Sequence, residues 1–304
     1  MAFQSVDEEL FYKSPKANDP RLGDVVQNTT REEALSLPEA WLVAGYPDDE
    51  GVGLNFGKKG AAGGPDAIRN MLYRLSLREK KREIFDLGNY VSEANLQDRH
   101  EDIKKNLQSL HGKHRVLSFG GGHDFGYPDI ASFLESVPED QQALVINVDA
   151  HLDVRQPTPE PHSGTAFYRL LEEYSNFQLV QFGYQAQATS LAHEAYCREK
   201  KVIMIPYEER SNVISRLAEF LQDPNRPCFL SVDIDGFSST LAPGASAAWP
   251  VGLQWSDFET LFLRLFESTK LQGVGIYEVA PNLDVNEKTA KLAASIAYRI
   301  LSEV

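Results

Sequence analysis

The sequence predicts an α/β fold, a doubly wound three-layer sandwich around a mainly parallel sheet of about eight strands. Two observations carry that expectation. Short, β-branched apolar runs alternate along the chain with longer segments of helical spacing. The His and Asp residues best suited to chemistry stand where such runs stop, which is where α/β folds bind their ligands. A closed barrel of parallel strands fits the same pattern and stays open as the alternative.

In chain order the expected strands are Trp41–Gly45, Glu83–Leu87, Arg115–Phe119, Ala143–Val148, Phe177–Phe182, Val202–Ile205, Pro227–Val232 and Gly273–Val279. Each is a short run dominated by Val, Ile, Leu or Phe, as expected of strands buried on both faces. The expected helices are Pro65–Leu77, Asp102–Leu110, Gly126–Glu135, Thr165–Tyr174, Val213–Leu221, Ser256–Phe266 and Glu287–Ile300. Pro65 suits a first helical turn, where a missing N–H costs nothing. Ser256-Asp257-Phe258-Glu259 reads as a capping box. No Pro/Gly/Ser-rich linker divides the chain and no repeat stands out. One domain over 1–304 is expected, with a polar N-terminal arm at about 1–30.

Composition narrows the function. The 304 residues are 42% apolar, ample for a substantial core, and no apolar run reaches membrane-spanning length. A net charge of −14 argues against nucleic acid and against an anionic membrane surface as partners. Met1 to Pro20 lacks the apolar stretch of a signal peptide. Cys197 and Cys228 stand far apart, outside any metal-type spacing. Buried thiols in a reducing, cytoplasmic setting are expected.

Three motifs then converge. Gly120-Gly121-Gly122-His123-Asp124, Asp149-Ala150-His151-Leu152-Asp153 and Asp233-Ile234-Asp235 each follow an expected strand. In extended backbone alternate side chains share a side, so Asp149, His151 and Asp153 would meet, as would Asp233 with Asp235. A lone Asp after a strand is usually a cap or turn residue. Carboxylates gathered this closely repel unless cations sit among them. His123, Asp149, His151, Asp153, Asp233 and Asp235 are therefore the candidate metal ligands. Oxygen and imidazole donors without thiolate suit Mn²⁺, with Fe²⁺, Co²⁺, Ni²⁺ or Zn²⁺ open on chemistry alone. Two divalent ions would balance four Asp carboxylates and supply a hydroxide nucleophile at neutral pH.

At these residues the chain resembles the ureohydrolases, the arginase/agmatinase/formimidoylglutamase family. The resemblance extends to Leu241-Ala242-Pro243-Gly244, to Glu278-Val279-Ala280-Pro281 and to Lys288-Thr289-Ala290. It implies an arginase-like fold, two Mn²⁺ per chain and hydrolysis of a linear amidine or guanidinium. It also implies that Asp149 and Asp233 bridge both ions, with His123 and Asp153 completing one site and His151 and Asp235 the other. Glu278 would face the amidine, and Asp235 would also move a proton. Members are often homo-oligomers.

Within the family the chain looks most like a formimidoylglutamase. Asn55-Phe56-Gly57-Lys58-Lys59-Gly60-Ala61 resembles that branch's N-terminal block, with Lys58 where the block has Arg. Gly122 replaces an acidic residue of the other branches. Ser163-Gly164-Thr165-Ala166-Phe167 and Ala245-Ser246-Ala247 resemble two further blocks. Asp124 and Trp249 depart from the pattern. Arginases have Asn where Arg155 stands; Arg offers a bidentate fork for a carboxylate. Phe167 stands near the place of a proton-shuttling His in arginases and cannot do that work; either the leaving group needs less help or another group such as His162 supplies it, although His162 reads first as a solvated loop residue. The substrate-binding candidates are Arg155, Ser163 and Glu278. The expected reaction converts N-formimidoyl-L-glutamate and water to L-glutamate and formamide. Other amidine or guanidine hydrolysis, or a non-catalytic binding role on the same fold, are the alternatives.

Overall fold

The computed structural model describes residues 3–78 and 83–303. Its strands are β1 (Phe3–Gln4), β2 (Gln27–Asn28), β3 (Trp41–Gly45), β4 (Ile84–Tyr90), β5 (Arg115–Phe119), β6 (Ala143–Val148), β7 (Phe177–Tyr184), β8 (Ile203–Pro206), β9 (Pro227–Asp233) and β10 (Lys270–Tyr277). They form one open sheet in the order β1-β4-β3-β5-β10-β9-β6-β7-β8, with β2 also paired to β4. Among the described strands only β1 runs antiparallel, against β4. An open sheet excludes the barrel.

The sheet has ten strands among the described residues, against about eight expected. The two additions, β1 and β2, are two residues each, too short for a hydrophobic period to reveal. Both come from the polar N-terminal segment. That segment also buries Val6, Phe11, Leu22 and Val26 in the main core.

The helices are α1 (Arg31–Ala34), α2 (Glu50–Leu54), α3 (Gly64–Leu72), α4 (Leu96–His111), α5 (Gly126–Leu134), α6 (Ala166–Glu173), α7 (Leu191–Glu199), α8 (Val213–Leu217), α9 (Trp255–Ser268) and α10 (Lys288–Glu303). Helix α3 stops short of the expected Leu77. There the chain turns to pair with the N-terminal segment, Leu22 N–H donating to Leu75 O and Leu77 N–H to Pro20 O. Helix α4 starts before the expected Asp102, because Asn95 caps it through the Asp98 N–H. The box before α9 lies two residues earlier than expected, with Gln254 N–H donating to Asp257. Helix α7 went unpredicted; it is largely polar and buries only Cys197.

Alternation within the central strands feeds both layers. Leu144, Ile146 and Val148 pack with Ile68 of α3, Phe258 of α9 and Ile296 of α10. Ala143 and Val145 pack with Ile130 of α5, Leu170 of α6 and Cys197 of α7. Helix α4 covers the β3 side through Ile103 and Leu107. Cys197 and Cys228 are both buried and unbridged. No helix among the described residues is long and apolar enough to cross a membrane.

The register is what positions the site. Phe119, Ile276, Val232 and Val148 lie side by side across β5, β10, β9 and β6. All four strands run parallel, so they leave the sheet along one line at its carboxyl edge.

Candidate active site

The four exits deliver the motif residues. Strand β5 is followed by Gly120 and Gly121, and both glycines answer close contacts. A Cβ on Gly120 would stand 2.1 Å from the Tyr277 ring, and one on Gly121 1.7 Å from Asp48 O. The loop can therefore lie flat against β10, where Glu278 N–H donates to Gly121 O at 2.8 Å. That places Glu278 beside His123, whose own N–H donates to Glu278 Oε1 at 3.0 Å.

His123 is fully buried and its ring is held on three sides. Nε2 lies 2.9 Å from Ser231 Oγ. Tyr277 stacks on the ring at 4.9 Å, and Phe167 meets it edge-on at 5.6 Å. Nδ1 then points at three carboxylates: Asp149 at 3.2 Å, Asp153 at 3.0 Å and Asp233 at 3.2 Å. His151 Nδ1 lies 3.4 Å from the other Asp149 oxygen and 3.2 Å from Asp235. These atoms form two groups able to hold an ion: His123, Asp149, Asp153 and Asp233, and Asp149, His151 and Asp235. Asp149 belongs to both. Asp233 falls in the first group, and its other oxygen accepts the Asp235 N–H at 2.8 Å.

The backbone reaches this convergence differently from the expected extended alternation. Strand β6 ends at Val148, and Asp153 has φ 49°. Asp235 sits in a 3₁₀ turn, Ile234–Gly236. Glu278 has φ 64°. Left-handed backbone at non-glycine residues stores strain and is typical of sites that need a side chain aimed.

The electrostatics match the crowding. Burial, then Asp235 and Asp149, hold the Asp233 carboxyl well above the usual range. Burial raises Asp149 too, but the facing imidazoles of His123 and His151 outweigh it and bring it below its usual value. Burial would lower His123, yet the carboxylates of Asp149, Asp153 and Asp233 keep its imidazole well above the ordinary pKa. Burial pushes Glu278 up to about 8. His123 Nδ1 and Asp235 Oδ1 are buried without a well-formed hydrogen bond. Like charges this close, with orphaned donor atoms turned inward, fit divalent cations and an oxygen- and imidazole-preferring metal.

Above the cluster opens a cavity of about 310 Å³. His151, Asp153, Asp233, Asp235 and Glu278 form its floor. Arg155 and Ser163 both line the wall. Arg155 is exposed, and among the described residues it forms no ion pair. Its Nη1 donates to Asn55 Oδ1 at 2.8 Å, while Asn55 Nδ2 donates to Ser163 Oγ at 3.0 Å. Asn55 thus ties the two expected substrate contacts together, an organising role the sequence reading did not assign.

Two further residues have roles outside the cavity. His162 is absent from the cavity wall; its Nδ1 accepts the Gly164 N–H at 3.2 Å, a local turn contact. Phe167 is fully buried against His123 and supports that ring. The histidine that does line the wall is His193, from the first turn of α7. Nothing in the motifs pointed to it, since α7 itself was missed. Asp124 turns away from the cavity to meet His100 Nε2 at 2.9 Å.

Comparison with known proteins agrees with this geometry. The arginase family pattern matches residues 40–302. A formimidoylglutamase of Staphylococcus aureus is 30% identical over 282 residues, covering 90% of each chain. A formiminoglutamase of Trypanosoma cruzi, solved with Mn²⁺, superposes with a TM-score of 0.80 at 26% identity, covering 93% of this chain and 98% of that one. The Bacillus subtilis formimidoylglutamase shares the fold at a TM-score of 0.82 and 23% identity, over 95% of this chain and 93% of its own. A match that takes in all four strand exits, joined to a relative alike over nine-tenths of both chains, makes this protein a member of the arginase family.

Proposed function

We propose that the protein is a two-manganese hydrolase that converts N-formimidoyl-L-glutamate and water to L-glutamate and formamide. The carrying observation is the polarity of one cavity, with an acidic floor below and the Arg155 guanidinium on the wall. An amidinium carrying carboxylates complements both ends. The formimidoylglutamase relatives support the same reading.

His123, Asp149, Asp153 and Asp233 would hold one Mn²⁺, and Asp149, His151 and Asp235 the other. The bound ions supply Lewis acidity and lower the pKa of water into the neutral range. The chain's own residues do the rest. Glu278, buried on the floor, gives up its proton as the cationic amidine arrives and becomes its counter-charge. Asp235, with Oδ1 unpartnered, accepts the proton of the attacking water and returns it to the departing nitrogen. Arg155, oriented by Asn55, holds a carboxylate. The C–N bond between the formimidoyl carbon and the amino acid nitrogen breaks, leaving formamide and glutamate.

The reading extends to one catalytic domain, acting in the cytoplasm as a homo-oligomer, which size-exclusion chromatography with light scattering tests. The activity test is a screen of the Mn²⁺-loaded protein against formimidoylglutamate, arginine, agmatine and guanidinobutyrate, scoring formamide and urea separately. Formimidoylglutamate should exceed arginine at least about tenfold in kcat/KM, or about 1.4 kcal/mol of differential transition-state stabilisation. A higher kcat/KM with urea release on any guanidino compound overturns the substrate assignment.

A further inference from the structure

Formimidoylglutamate carries two carboxylates, and Arg155 accounts for one. The cavity wall holds two other basic side chains outside the acidic floor, Lys58 and His193. Lys58 is exposed, on a long flexible stem. His193 is half-buried and anchored by helix α7, where its backbone N–H donates to the Ser190 cap at 3.2 Å. Among the described residues its ring makes no hydrogen bond and no ion pair. A polar ring in a cavity wall that bonds to no protein group is available to a ligand. The surroundings say of which sign. Arg155 shares the wall, and burial, with the Arg155 charge behind it, lowers the His193 pKa. An anion is therefore what this end of the cavity lacks.

We propose that His193 is the second carboxylate contact and that, paired with Arg155, it makes the enzyme selective for dicarboxylate amidines. The inference rests on the proposed formimidoylglutamate activity. It goes beyond that activity by assigning specificity to a residue outside every motif. Substrates with one carboxylate would use Arg155 or His193 but not both. Agmatine, with none, would use neither. Lys58, at the mouth, would attract the dianion without fixing it.

The test compares the wild type with His193→Ala and His193→Gln, each loaded with Mn²⁺ and checked for unchanged metal content. Three substrates are used: N-formimidoyl-L-glutamate, N-formimidoyl-2-aminobutyrate (no side-chain carboxylate) and 4-formimidoylaminobutyrate (no α-carboxylate). The expected result is a KM for the dicarboxylate raised about tenfold in both variants with kcat within about twofold. On one monocarboxylate, the one lacking the group that His193 holds, KM should not move. An unchanged KM on the dicarboxylate overturns the inference. So does an equal loss on all three substrates, or a loss of kcat with KM intact, since a packing or proton-transfer role would produce those. Failure of the parent reading looks different: the wild type itself would release no formamide from any of the three.

Discussion

The floor and the wall of the cavity are built on opposite principles. The floor comes from four neighbouring strands whose ends are aligned by the sheet, so a few residues after each strand suffice to gather its charges. Its carboxylates Asp233, Asp235 and Glu278 are buried and mutually repulsive. The wall comes from segments far apart in sequence: Asn55 to Lys58, Arg155, Ser163, His193 and Ser246. Its side chains are more exposed, and its contacts are single hydrogen bonds between loops. The difference teaches where each property resides. Reaction type belongs to the sheet, and substrate choice belongs to the loops.

The sharpest test of that division is to remove a floor residue. Asp149→Ala should abolish activity and empty both ion positions, since Asp149 alone belongs to both groups. Asp235→Ala should also abolish activity but keep one ion per chain. Metal analysis after dialysis distinguishes the two; the full metal complement in Asp149→Ala would break the assignment. Glu278→Gln should lower kcat about a hundredfold while leaving the metal in place, because it removes the charge facing the amidine. Loss of metal in that variant would move Glu278 into the ligand set. On the wall the expected effect is smaller and of another kind. Arg155→Ala should raise KM at least about tenfold, as for a lost charged contact, with metal content unchanged. A KM equal to wild type would show that Asn55 holds Arg155 for structural reasons only.

The smallest predicted effect lies outside both regions. Both ring nitrogens of His111 are buried without a hydrogen-bond partner, and burial pushes its pKa down to about 3. Its ordinary value is 6.5, so on acidification the unfolded chain takes up the proton first. The stability His111 permits is full above the ordinary value and is lost progressively as pH falls towards 3. At pH 5.5 the loss should be about 1.4 kcal/mol. Urea unfolding of wild type and His111→Leu at pH 7.5 and 5.5 should show the variant less pH-sensitive by that amount. Equal sensitivity would mean that His111 finds a partner in solution.

The same division explains what could be read beforehand. The eight longer strands of the sheet were legible from their apolar runs, because burial on both faces leaves little choice of residue. The six clustered candidate ligands were legible because each lies within a few residues of a strand end. Their backbone was not: Asp153 and Glu278 take left-handed conformations that no side-chain period encodes. Arg155 and Ser163 came into view only through a family resemblance. His193 did not, since α7 is mostly polar and carries too little apolar pattern to announce a helix. Asn55 lies within a motif, but its hydrogen bonds to residues 100 and 108 positions away exist only in three dimensions.

Those two left-handed acidic residues have a bearing on how this enzyme would evolve or be engineered. At Asp153 and Glu278 a glycine would relax the backbone and, in the metal-free protein, take a buried carboxylate out of a repulsive cluster. A selection for heat resistance that ignored turnover would drift towards Asp153→Gly and Glu278→Gly early, and would return a sturdier protein with nothing left to catalyse.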